Sequence, residues 1–146
     1  MKLREANDAD LDVLLAMMRE LYAHDGVPFD DARSRRGSLE LLHAPEHGGI
    51  WIIDVEGETV GYYVLTYGFS LEYYGRHGFI DELFVRNQFR GQGFGGLALE
   101  HASSVCRTRG MKVILLEVAF ENTGAHALYK RLDFHEHGRR LMSRVL

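Results

Sequence analysis

"RNQFRGQGFGGLALEH", residues 86–101, sets Gly91, Gly93, Gly95 and Gly96 directly before an apolar run that reads as a helix. Two phosphate-binding patterns fit these letters. Gly91, Gly93 and Gly96 spell the dinucleotide fingerprint GxGxxG, while Arg90, Gly93 and Gly95 spell the shorter Arg-x-x-Gly-x-Gly. The physics is common to both: a helix N-terminus presents unpaired N–H groups and a positive dipole end, and glycine lets a pyrophosphate approach without a Cβ in the way. A tight strand-to-helix turn with no ligand is the plainer alternative.

The surroundings separate the patterns. Glu117 lies 21 residues after Gly96, near where the ribose-binding acid of a nicotinamide oxidoreductase belongs. Against that reading, "RNQF" and Arg90 intervene between the strand end at Val85 and Gly91, and Glu117 is followed by "VAF", inside its own strand. Only 26 residues follow Phe120, too few for further βαβ units.

Working outward, "KLREA" reads as a strand and Asn7 or Asp8 as the N-cap of a helix striped by Leu11, Leu14, Leu15, Met18, Leu21 and Tyr22. A second, more polar helix is expected over 31–43. "GIWIIDV" and "TVGYYVLTYGF" around "EGE" predict a hairpin, "SLEYYGRHG" a loop, and "FIDELFV" a strand over 79–85. The glycines precede a helix from Phe94 to Arg109 stopped by Gly110. "KVILLEVAF", the most apolar strand, is expected at the sheet centre. "NTGAHALYKRL" gives a last helix, and "FHEHGRRLMSRVL" leaves room for two short strands. The order β-α-α-β-β-β-α-β-α-β-β implies an α/β fold, a mixed sheet with helices on both faces.

The chain has 146 residues, 46% of them hydrophobic, enough for one domain over 1–146 that buries about 70% of its unfolded surface. Without a long apolar run or a hydrophobic leader, a cytoplasmic protein with no membrane or nucleic-acid partner is expected. The net charge of −4 is uneven: residues 1–82 carry −9 and residues 83–146 carry +5, so an anionic ligand suits the second half and a cationic one the first. The single cysteine, Cys106, has no disulfide partner, and His135 and His137, on one face of an expected strand, lack a third metal ligand; no metal is expected.

The run "IDELFVRNQFRGQGFGGLAL", followed by "LEVAFENTGAHALYKRLDF", resembles the GNAT superfamily of N-acetyltransferases over residues 79–134, and "LREANDADLDVLLAMM" extends the similarity loosely to the whole chain. The resemblance implies a mostly antiparallel, twisted sheet and acetyl-CoA as co-substrate. It implies that Arg90, Gly91, Gln92, Gly93, Phe94, Gly95 and Gly96 cradle the pyrophosphate and that Leu83, Phe84 and Val85 hold the pantetheine amides. Asn122 would contact the pantetheine region, and Tyr129 would lie near the thioester sulfur. The seven-residue step from one to the other is nearly two helical turns, which sets them on one face. The plainer roles are an N-cap and a core aromatic. Dimers are common in this superfamily, so a homodimer is compatible with the resemblance.

Acetyl transfer to an amine needs a neutral nucleophile, a stabilised oxyanion and a protonated leaving thiolate. An alkyl amine titrates near 10.4, so a base must take its proton. Asp81 and Glu82 are the carboxylates nearest the pantetheine stretch, and a similar acidic pair serves diamine acetyltransferases. Strand alternation points the two to opposite faces unless a bulge intervenes, with Glu82 preferred for the cleft. Tyr129 would act as general acid, and a backbone N–H within Leu83 to Val85 as oxyanion donor. With no covalent carrier in view, attack is direct within a ternary complex; a catalytically silent coenzyme A-binding module is the alternative. The amine acceptor is expected between the first helices and the 67–78 loop, near Tyr22, His24, Glu72, Tyr73 and Tyr74, where rings and acids suit a cation.

Overall fold

Capping and spacing start the first helix where the sequence predicts it. In the computed structural model, which describes residues 1–146, β1 (Lys2–Glu5) leads into a 3-10 turn at Asp8–Asp10, where the Asn7 side chain accepts from the Ala9 N–H and Asp10 accepts from the Asn7 N–H. Helix α1 (Leu11–Asp25) follows and ends at Gly26, whose φ of 68° is the left-handed cap. Its Leu11, Leu14, Leu15, Met17 and Met18 are buried. Then come α2 (Asp31–Leu42), β2 (Gly48–Val55), β3 (Glu58–Ser70), β4 (Gly75–Val85), α3 (Phe94–Thr108), β5 (Ile114–Leu116) and α4 (Thr123–Arg131).

The five strands form one sheet in chain order; every pair is antiparallel except β4 with β5. Alternation along the strands sorts their side chains into two cores. Ile50, Ile52, Tyr62, Val64 and Phe84 pack under α1 and α2, while Trp51, Ile53, Tyr63, Leu65 and Ile80 pack under α3, with α4 residues Leu128 and Tyr129 against them. Each fully buried Leu, Ile or Met contributes about 2 kcal/mol. Cys106 is buried in α3 directly over Gly78, where any added Cβ would collide with its sulfur.

Four expectations change. The expected 70–78 loop shrinks to a turn over 71–74: β3 runs on to Ser70 and β4 begins at Gly75, because Gly75 through Gly78 keep pairing with Ser70 through Tyr67. "KVILLEVAF" is not central. Only Ile114–Leu116 forms strand, at the sheet edge, and its apolarity reflects cover by the α3–α4 core, since a parallel strand is apolar wherever helices bury it. The two terminal strands do not form. β5 presents a ladder of only three residues, and beyond α4 the chain is instead tied by side chains: Glu136 to His126 at 2.7 Å and Arg139 to both Glu72 oxygens at 2.7 and 2.9 Å. His135 and His137 therefore share no strand face. No helix is long and apolar enough to cross a membrane.

Candidate active site

A bulge decides where the two acids point. Val64 pairs with Glu82 and Leu65 with Ile80, so Asp81 has no partner on β3. Ile80 faces the α3 core and Phe84 the α1–α2 core; the extra residue turns Glu82 back to the side Asp81 already faces. Both acids line one pocket of about 390 Å³ between the sheet and helices α1 and α2, with Leu14, Met18, Tyr22, Ile50 and Val64 as its apolar walls. The expectation that only one acid enters the cleft is thereby corrected, through the bulge that was its stated exception.

Glu82 is held at both oxygens. The Tyr22 hydroxyl donates to Oε1 at 2.7 Å and the Tyr62 hydroxyl to Oε2 at 2.8 Å. Burial pushes its carboxyl above the usual range; the two tyrosine donors oppose that shift, and the charges of Asp81 and Asp25 add to it. Asp81 is raised as well, by desolvation. Tyr62 is fully buried and Tyr22 half-buried, and burial together with the Glu82 charge keeps both phenols protonated well above neutrality.

Beside this pocket the sheet forks. β4 and β5 pair only from Gly78–Ile114 to Ile80–Leu116, after which β4 runs on to Val85 paired with β3 alone. The Arg86 N–H bonds Val60, so Phe84 and Glu82, two and four residues earlier, also turn their backbone groups toward β3. Leu83 and Val85 turn theirs to the open side, where the Val85 carbonyl accepts from Arg90 Nε at 2.9 Å. Of the three residues assigned to the pantetheine, Leu83 and Val85 thus offer backbone at the fork. Phe84 spends its backbone on β3 and buries its ring under α1.

The glycine loop lies below the fork. Gly91 and Gly93 have φ of 76° and 85°, conformations that other residues adopt at a cost, and Gly93 caps α3. The N–H groups of Gly91 through Gly96 make no hydrogen bond within the protein; the first of the helix to do so is Leu97, to Gly93. Gly95 and Gly96 have no such backbone need. An added Cβ would meet Leu128 at 3.5 and 3.7 Å, ordinary contact, so packing within the chain does not require them to be glycine. Both cost helix stability relative to alanine, about 1 kcal/mol or less each. The dinucleotide fold does not fit: it needs a parallel sheet, and here one pair of strands is parallel, with a 3-10 turn at Asn87–Phe89 between strand and glycines.

α4 supplies the remaining groups. Asn122 lies one residue before the helix as its N-cap, with Oδ1 accepting from the Ala125 N–H at 3.1 Å, which leaves its amide NH2 for other use. Tyr129 packs on Phe134, with ring centroids 5.9 Å apart, and makes no side-chain hydrogen bond. Burial raises its pKa, and so does the charge of Asp25.

Other expected residues lie elsewhere. Glu72, Tyr73 and Tyr74 cap the β3–β4 hairpin, six or more strand residues, roughly 20 Å, from Glu82. Glu72 is there paired with Arg139, Tyr73 packs on His77, and His24 contacts Asp25 at 3.0 Å. Sequence reading missed Tyr62, and the α2 residues Arg33, Ser34, Gly37 and Ser38 that close the pocket. The polar pattern of α2 hides its inner face, and Tyr62 meets Glu82 only through strand register.

Residues 15–134 match the acetyltransferase (GNAT) family. An uncharacterized N-acetyltransferase of Archaeoglobus fulgidus is 30% identical over 91% of this chain and 92% of its own, and another, of Methanocaldococcus jannaschii, 29% over 92% of this chain. The chain spans 60% of the length of the latter. The mouse thialysine N-epsilon-acetyltransferase is 29% identical over 90% of this chain and 82% of its own. An integron cassette protein from the mobile metagenome of Cole Harbour salt marsh superposes with a TM-score of 0.88 at 38% identity, covering 99% of this chain and 90% of that one. The chain belongs to the acetyltransferase (GNAT) family, the acetyl-CoA-dependent N-acetyltransferases.

Proposed function

We propose that this chain moves the acetyl group of acetyl-CoA onto a primary amine seated in the α1–α2 pocket, by direct attack within a ternary complex. The observation that carries the reading is the shared pocket of Asp81 and Glu82 beside the open edge of Leu83 and Val85. The mouse relative, named for transfer to the ε-amine of thialysine, supports an amine as acceptor.

The residues fit acetyl-CoA by their unspent hydrogen-bonding capacity. The free N–H groups of Gly91, Gln92, Gly93, Phe94, Gly95 and Gly96, with Arg90 beside them, hold the pyrophosphate. Leu83 and Val85 pair with the pantetheine amides as an added strand would, and the Asn122 amide reaches the same arm. Acetyl-CoA supplies an activated acyl group as its thioester.

The chain's own groups do the rest. Asp81 draws the ammonium into the pocket. Glu82 takes the proton, through water, because a carboxylate near 4.3 and an amine near 10.4 are mismatched; the burial that raises Glu82 narrows the gap. An N–H of the Leu83–Val85 edge stabilises the oxyanion. Tyr129, its pKa raised, is a weaker acid than a free phenol, so it serves the leaving sulfur first as a hydrogen-bond donor.

Thiol release from acetyl-CoA over a panel of primary amines tests the reading, together with thermal stabilisation by coenzyme A and by NAD. Amine-dependent release and stabilisation by coenzyme A alone are expected. Binding of coenzyme A without turnover of any amine would leave a silent binding module instead.

A further inference from the structure

The pocket that holds the two acids also holds a base. Arg33, on α2, is its only cationic lining residue, and its side chain is 83% exposed with one weak contact, to Asp30 at 3.5 Å. Two further features of α2 on the same wall point to a ligand. Ser38 is buried, 6% exposed, and its hydroxyl donates only to the Met18 sulfur at 3.7 Å, a poor acceptor for a buried O–H. Gly37 sits inside the helix without a left-handed φ, and an added Cβ would meet nothing within 4 Å. Neither the backbone nor its neighbours require glycine there, yet glycine weakens the helix by about 1 kcal/mol relative to alanine. Its smallness enlarges the pocket.

We infer that the acceptor is a small zwitterionic amine, its ammonium at Asp81 and Glu82 and an anionic group, carboxylate or phosphate, at Arg33 and the α2 serines. This rests on the acetyl-transfer reading for which end reacts. The pocket's volume of about 390 Å³ suits a molecule of amino-acid size. A diamine would set its second cation against Arg33, and an uncharged tail would leave Ser38 and Arg33 unused.

The test compares four acceptors with the same six-carbon or six-atom spacing: 6-aminohexanoate, 6-aminohexyl phosphate, hexylamine and 1,6-diaminohexane. Thiol release is measured with wild type, Arg33→Ala, Arg33→Lys and Gly37→Ala, and binding of 6-aminohexanoate and 6-aminohexyl phosphate by calorimetry with coenzyme A saturating. One of the two anionic acceptors should exceed hexylamine and the diamine by about tenfold or more in kcat/KM, the choice between them identifying the anion. Arg33→Ala should remove that advantage through KM, weakening the preferred anionic acceptor far more than hexylamine, and Arg33→Lys should restore part of it. Gly37→Ala should raise the melting temperature and weaken acceptor binding. If the diamine or hexylamine is the best substrate, or Arg33→Ala lowers all four equally, the zwitterion assignment is overturned while acetyl transfer stands. If no amine turns over but an anionic amine binds wild type and not Arg33→Ala, the anion site stands and acetyl transfer falls. If neither anionic amine binds, the assignment is overturned.

Discussion

Asp81 and Glu82 are consecutive in a strand and face the same pocket, because Asp81 has no partner on β3 while Glu82 pairs with Val64. Two acids can then divide the work: the more exposed one attracts the ammonium and the tyrosine-clamped one accepts its proton. Glu82→Gln should lower kcat by about 100-fold or more, the usual worth of a general base. Asp81→Asn should raise the acceptor KM about fivefold with kcat nearly unchanged, as suits a partly screened ion pair. Steady-state kinetics with acetyl-CoA saturating separates the two; equal losses in kcat would remove the division of labour.

Burial raises the Glu82 carboxyl, and the Tyr22 and Tyr62 hydroxyls oppose that shift. In the proposed reaction the ionised form of Glu82 is the active one, so activity should fall as pH drops through its raised pKa. The Tyr62 hydroxyl favours the ionised form, and Tyr62→Phe removes that donor, so the acid limb of kcat/KM should move to higher pH. The variant should also lose about 1–2 kcal/mol of stability, from the unpaired buried oxygen. A limb that moves to lower pH would show that Tyr62 does not support the carboxylate.

The role proposed for Tyr129 is at the leaving group. Tyr129→Phe should lower kcat about tenfold or more, the loss of one well-placed donor, while KM for acetyl-CoA stays within about twofold because the pyrophosphate contacts are untouched. Because burial raises the phenol's pKa, the wild-type rate should show no loss near pH 10, where a free tyrosine ionises.

The four loop glycines fall into two classes with opposite expected effects. Gly95→Ala and Gly96→Ala should leave stability unchanged or raise it by up to about 1 kcal/mol, since helix propensity improves and Leu128 is met at ordinary contact. Both should raise KM for acetyl-CoA. Gly93→Ala should instead destabilise by about 1 kcal/mol, because φ is 85° there. Melting temperatures and donor KM values, measured on the same preparations, distinguish ligand-serving from backbone-serving glycine.

Local features of this site could be read from sequence, and paired ones could not. The α1 stripe, the Asn7 cap and the glycine loop depend on neighbours within one or two turns, so their spacing reports them directly. The bulge at Asp81 is a property of β4 against β3, and no pattern within "FIDELFV" encodes it. The same holds for Tyr62 at Glu82, two strands whose register alone brings the groups together. "KVILLEVAF" misled because apolarity reports cover by helices, not position in the sheet. The terminal segment misled because strand-like composition forms no strand without a ladder to extend.

Away from the site, Arg4 ties β1 to the start of α1 and to β2. Its guanidinium donates to both oxygens of Asp10 at 2.8 Å and to Asp54 at 2.8 Å, and Asp10 is 8% exposed. These bonds, with the Asn7 N–H, hold the Asp10 carboxyl below the usual range against the opposing cost of burial. A folded-state pKa below the unfolded one stabilises the fold above the unfolded value, near 3.9, and that contribution is lost as pH falls through the lowered folded value. Asp10→Asn should therefore cost about 2–3 kcal/mol at pH 7, less than breaking a fully buried pair because the Arg4 side chain is 30% exposed, and the cost should shrink as pH drops below about 4. Arg4→Met should cost at least as much, because it leaves the Asp10 carboxylate buried without its main partner. Urea melts of the three proteins between neutral and acid pH measure this, and a difference between wild type and Asp10→Asn that stays constant down to acid pH would mean the pair contributes by shape and not by charge.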